Sequence, residues 1–153
     1  MITKEISNDT FFALMEQVLC DNGKVRFRVK GVSMQPLLRD DLDEVLLQKR
    51  NDLVPSIGDI CLFRFGKQYI LHRFIRRQGE VLIMRGDNVF GKKEWCTLPD
   101  VVGIVEMVYR GQQAISPHSL KWKMLIRLHR IKTWMKIIIV GIVHRLRRLF
   151  TGK

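Results

Sequence analysis

Ile60-Cys61-Leu62-Phe63-Arg64-Phe65-Gly66-Lys67-Gln68-Tyr69-Ile70-Leu71-His72-Arg73-Phe74-Ile75 decides the fold, because two apolar, aromatic-rich runs joined by Gly66-Lys67 predict an antiparallel hairpin. Pro55 and Gly58-Asp59 turn the chain into the first run. Gln78-Gly79-Glu80 supplies the next turn, ahead of a predicted strand over 81–84, and residues 101–109 read as a final long strand. Upstream, residues 44–48 form another strand, and Val25, Phe27 and Val29 alternate with Lys24, Arg26, Arg28 and Lys30 as a half-buried one. Asn8 or Asp9 caps a short helix whose apolar positions Phe11, Phe12, Met15, Val18 and Leu19 share one face, ending near Asn22-Gly23. With no internal repeat, the expected body is one small, mainly β, antiparallel domain.

The chain of 153 residues suffices for one globular domain plus an accessory element, and 46% apolar residues permit a real core, against wholesale disorder. The 27 Lys and Arg against 15 Asp and Glu predict attraction to an anionic surface or polymer. The distribution is sharper than the total. Residues 1–116 hold 17 basic and 15 acidic side chains, whereas residues 117–153 hold 10 basic and none acidic. Cys20, Cys61 and Cys96 lack metal-finger spacing, which argues against a disulfide framework or a zinc site. Residues 1–30 show no apolar stretch leading to a small-residue cleavage site, so a cytoplasmic location is expected.

Gly31-Val32-Ser33-Met34-Gln35-Pro36 is the loop with chemical promise. Gly31 allows close backbone approach, Pro36 stiffens the far side, and Met34 is expected to anchor the loop in the core. A serine hydroxyl is a poor nucleophile at neutral pH and needs an adjacent base. His72 has the right ordinary pKa and lies on a strand that a hairpin can return beside the loop. Taken singly, Ser33 reads as a turn residue and His72 as a structural histidine; together they form a Ser-His hypothesis. Lys67 is a rival base, set back by its place at an exposed hairpin tip. Asp87, in Gly86-Asp87-Asn88, either orients the histidine or makes an Asx turn, and Glu94, after Lys92-Lys93, is a second acidic candidate that reads equally as surface charge.

These residues resemble those of the signal peptidases and the self-cleaving LexA-like repressors, the S24/S26 serine peptidase superfamily. The resemblance lies in Gly31-Val32-Ser33-Met34-Gln35-Pro36, Gly58-Asp59-Ile60-Cys61-Leu62-Phe63, Tyr69-Ile70-Leu71-His72-Arg73, Arg85-Gly86-Asp87-Asn88 and Val102-Gly103-Ile104-Val105, in that order across about residues 24–109. It implies a β-rich peptidase fold, peptide-bond hydrolysis by Ser33, and a substrate held extended beside a strand. Bacterial signal peptidases carry a catalytic lysine where this chain has His72; the endoplasmic-reticulum type uses histidine and places an acid several positions after its Gly-Asp-Asn turn. Here that stretch reads Val89-Phe90-Gly91-Lys92-Lys93-Glu94. The N-terminal membrane anchor usual in signal peptidases is not seen, and residues 1–30 are too short for a repressor's DNA-binding domain. Overall the chain looks most similar to compact bacterial peptidases of peptide-maturation gene neighbourhoods, which implies a leader or precursor peptide as substrate.

Ser116-Pro117 reads as a helix start. Met124, Leu128, Ile131, Met135, Ile138, Ile142, Leu146 and Leu149 then follow steps of three and four, flanked by Lys123, Arg127, Arg130, Arg145 and Arg148, with Trp122 and Trp134 suited to an interface. The apolar run 137–143 is far short of the roughly 20 residues that cross a bilayer, and its flanks bring in Lys132, Lys136 and Arg145. An anionic membrane surface or a membrane transporter fits this arm, as does packing on the peptidase body; nucleic acid leaves the apolar cluster unused. His118, His129 and His144 show no metal-ligand arrangement, and no metal or cofactor is expected.

The sequence therefore predicts an N-terminal helical segment over 1–23, a serine peptidase-like β domain over 24–115 and a basic amphipathic arm over 116–153. The expected activity is serine endopeptidase, with Ser33, His72, Asp87 and Glu94 as site residues and the protein peripheral on the inner face of the membrane. The alternative is a noncatalytic peptide-binding or membrane-associated adaptor on the same fold.

Overall fold

The computed structural model describes residues 8–21, 23–49 and 54–151. Expectations placed on Asn22, and on the side chains of Asn8, Asp9, Arg130, Trp134, Lys136, Ile137, Ile142, Val143, His144, Leu146, Arg148 and Leu149, lie outside the described residues. The chain divides into two compact units, Met1–Pro117 and His118–Lys153.

In the first unit, α1 (Asn8–Cys20) precedes a sheet of β1 (Lys24–Arg28), β2 (Asp43–Gln48), β3 (Ile60–Phe65), β4 (Gln68–Gln78), β5 (Val81–Arg85), β6 (Glu94–Cys96), β7 (Val101–Arg110) and β8 (Gln113–Ile115). The path runs β1-β2-β7-β3-β4-β5-β6, every described pairing being antiparallel. The mainly β domain with a short N-terminal helix and a C-terminal helix is thus as expected. β7 is its spine: it pairs with β2 along one edge, and with β3 and then β8 along the other.

The β3–β4 hairpin forms around Gly66-Lys67, with Gly66 at φ 61°, a backbone region that a side chain disfavours. β4 continues past the expected end at 75 to Gln78. A register shift between Phe74 and Arg76 lets the exposed Arg76, Arg77 and Gln78 keep pairing with β5, so the polar run that ends the hydrophobic pattern does not end the strand. Cys61, Phe63, Phe74, Leu82, Met84, Cys96, Val101 and Ile104 pack together as the core on one face of β3 to β7. Burial of a side chain of this size contributes about 1.5–3 kcal/mol.

Helix α1 buries Met15 and Leu19, while Phe12 stacks on Tyr69 with ring centroids 4.1 Å apart and Tyr69 donates its hydroxyl to Glu16 Oε1 at 2.8 Å. Val18, expected on the same face, is 45% exposed. It lies beside the turn that ends the helix, where Gly23 donates to the Val18 carbonyl and a Cβ on Gly23 would come within 2.5 Å of that oxygen.

The second unit is one helix, α2 (Leu120–Thr151). Its start differs from expectation: Ser119, not Ser116, caps it, with the Trp122 amide donating to Ser119 Oγ at 3.2 Å. Trp122, expected at an interface, is fully buried and lies on the side of the helix opposite the exposed stripe.

Candidate functional site

The 31–42 segment is built to hold Ser33 on a fixed support. Gly31 takes φ 103°, open to glycine, and its amide donates to Asp40 Oδ1 at 2.7 Å. Met34, Leu37 and Leu38 are buried below, so Met34 anchors the loop as expected. The Gln35-Pro36 peptide is cis. At the segment's far end the buried Asp43 receives paired donors from two guanidiniums, Arg39 and Arg110. Although burial by itself raises its pKa, these donors outweigh it and bring the carboxyl down to about 2. Arg110 also donates to the Leu37 carbonyl, tying the segment to β7.

β4 carries His72. His72 pairs in register with Cys61 and faces the core side of the sheet, where it is nearly inaccessible. Across the sheet, Phe74 pairs with Met84 and Met84 with Glu94, which brings Glu94 to the same face. Glu94 Oε2 lies 2.9 Å from His72 Nδ1, with both side chains at most 5% exposed. Burial pushes the imidazole below its ordinary pKa; Glu94 pulls the other way by charge and hydrogen bond without cancelling the effect. Near neutrality the ring is therefore uncharged, with Nδ1–H donating to Glu94 and Nε2 left as the acceptor.

Asp87 goes elsewhere. Arg73, next along β4 and on the opposite face, donates from Nε and a terminal nitrogen to the two Asp87 oxygens at 2.8 and 2.6 Å, and from its other terminal nitrogen to the Gly58 carbonyl at 2.6 Å. The pair is buried, with 3% and 8% exposure. Of the two acids proposed to orient the histidine, Glu94 is the one in contact with it, and Asp87 instead locks the 86–90 turn to the strand.

That turn brings the serine loop to the imidazole. The Asn88 amide donates to the Ser33 carbonyl at 2.8 Å, and Asn88 Nδ2 donates to the Val32 carbonyl at 3.2 Å. A Cβ placed on Gly86 would lie 2.6 Å from the Ser33 carbonyl oxygen and 2.9 Å from His72 Nε2. Serine backbone and imidazole nitrogen thus meet over one glycine, separated by no more than the sum of those two distances. No hydrogen bond joins the Ser33 and His72 side chains. Lys67, the rival base, is exposed in the hairpin turn.

Sequence reasoning passed over Arg73 and Asn88 as positioning groups, although both stand inside the motif blocks. Their adjacency to His72 and Asp87 was the available signal. Among the described residues no cluster of His, Cys, Asp and Glu could hold a metal ion. Burial drives the Cys61 thiol far up and the Cys96 thiol up to about 12, so both pack as neutral core groups. No family model matches the chain, and no curated protein matches it.

Proposed function

We propose that the protein is a serine endopeptidase of the signal-peptidase and LexA-like kind, acting on a leader or precursor peptide. The observation that carries this reading is the buried His72, bonded to Glu94 through Nδ1, with its Nε2 and the Ser33 carbonyl oxygen both beside Gly86. The order of the sequence blocks supports it, and so does the neutral imidazole, since a general base must start without its proton.

In the proposed reaction a bound peptide brings Ser33 Oγ within about 2.6–3.2 Å of Nε2, a contact that commonly tightens only in the substrate complex. His72 takes the hydroxyl proton as Oγ bonds to the scissile carbonyl carbon. The imidazolium, steadied by Glu94, gives that proton to the departing amine as the C–N bond breaks. Water then loses a proton to His72 and attacks the acyl-serine, releasing the new carboxyl terminus and restoring Ser33.

The open Ser33–His72 hydrogen bond favours a second reading, a noncatalytic peptide-binding adaptor on the same scaffold. Mass spectrometry of a precursor-peptide library incubated with wild type and with Ser33→Ala separates the two. Paired cleavage products with wild type and none with Ser33→Ala, at unchanged thermal stability, are expected. Products formed equally by both, or peptide capture without any cleavage, would overturn the peptidase reading.

A further inference from the structure

Helix α2 carries a surface that the proposed reaction does not use. Its 32 residues extend about 48 Å at 1.5 Å per residue. Leu120, Met124, Leu128, Ile131, Met135 and Ile138 are each more than half exposed. Successive residues turn by about 100°, so these six fall within one arc of roughly 100° along the helix. Leu125 and Val140 are exposed outside that arc. The exposed cations border it on both sides: Lys121 and Lys132 along one margin, Lys123, Arg127 and Arg145 along the other. No acidic residue occurs anywhere in residues 117–153.

We infer that α2 lies on the surface of an anionic phospholipid bilayer, its apolar stripe in the acyl boundary and its bordering cations against the headgroups. The pattern selects this occupant over others. A cationic border on both sides of an apolar stripe complements a surface that is negative on each side of a buried groove, which is how a bilayer receives a helix lying in its plane. A nucleic acid would match the charge and leave the stripe in water. Among the described residues no helix is long and apolar enough to cross a membrane, so the helix lies flat. Lysine and arginine stems reach sideways from such a helix, keeping their charges in the headgroup layer.

Flotation of the full-length protein with vesicles of 30% phosphatidylglycerol in phosphatidylcholine tests the inference, with pure phosphatidylcholine vesicles alongside. Binding to the anionic vesicles at least tenfold above the neutral ones is expected, weakening as salt rises. Replacing Lys121, Lys123, Arg127, Lys132 and Arg145 together by Gln should lower partitioning more than tenfold. Replacing Leu128, Ile131, Met135 and Ile138 together by Ser should do the same. Circular dichroism that matches wild type shows that the exposed-site variants retain the helix. The inference is overturned if the protein stays with the dense fraction in anionic lipid, or if either variant floats as wild type does. It is also overturned if the stripe drives self-association without lipid, or if duplex DNA competes the protein off the vesicles.

Discussion

His72 and Arg73 are consecutive on β4, face opposite sides of the sheet, and each takes one buried carboxylate. The His72–Glu94 pair joins a group that can gain or lose a proton near neutrality to a fixed acceptor. The Arg73–Asp87 pair joins two complementary forks, the arrangement used where geometry must be held. The pair that the proposed reaction uses and the pair that locks the turn thus occupy opposite faces of one strand. The acid in the recognisable Gly-Asp-Asn turn belongs to the framework, whereas the acid in the plain charged run Lys92-Lys93-Glu94 touches the imidazole.

Removing the chemical side gives the largest effect. His72→Ala should lower kcat/KM by on the order of 10⁴- to 10⁶-fold, and Glu94→Gln by about 10⁴-fold, because the ring loses its tautomer control. A cleavage time course checks both; Glu94→Gln activity within tenfold of wild type would erase the distinction between the two acids.

The framework side answers in stability. Asp87→Ala leaves a buried guanidinium without its partner and should cost about 3–5 kcal/mol in urea unfolding. Adding Arg73→Met should recover part of that loss, since replacing both partners spares the unpaired charge. If Asp87→Ala instead unfolds as wild type does and only slows cleavage, the carboxylate acts on the chemistry.

The smallest effect lies in pH. With the His72 pKa depressed, kcat/KM should keep its plateau below the ordinary histidine value of 6.5 and fall on the acid side of that point. Stability follows the same sign. The unfolded chain binds the proton first, so the contribution of neutral His72 is complete above 6.5 and is lost as pH falls from there through the folded-state pKa. Glu94→Gln removes the Glu94 charge, the largest of the influences that raise the pKa, and leaves that of Asp87, so it should move the acid limb lower still; a move upward would contradict the assignment.

The strands flanking turns with glycine were legible, because Gly66, Gly79 and the alternation around Val25 and Phe27 state their period locally. β6 was not. It has three residues, and its inward positions are Glu94 and Cys96 while Trp95 is 65% exposed, which inverts the rule that aromatic residues face in and charges face out. Only the pairing of Met84 with Glu94 explains it, and that is a tertiary fact. The same blindness hid β8, whose Gln113-Ala114-Ile115 has too little pattern to stand out, and the cap at Ser119, where Ser116-Pro117 offered a stronger local signal. Ser33 and His72 were each legible as candidates; that the Ser33 carbonyl oxygen and His72 Nε2 both flank Gly86 was visible only once the turn was folded.

β6 has one further consequence. It ends the sheet path and bonds to β5 alone among the described strands, whereas β7 has three partners. Amide protons at Trp95 and Cys96 should then exchange through brief local openings, long before those of β7, which await global unfolding. An opening that carried Glu94 along would part it from His72 Nδ1 and remove the carboxylate that offsets the burial of the ring, so conditions that loosen this margin should shift the histidine's titration while β7 stays paired.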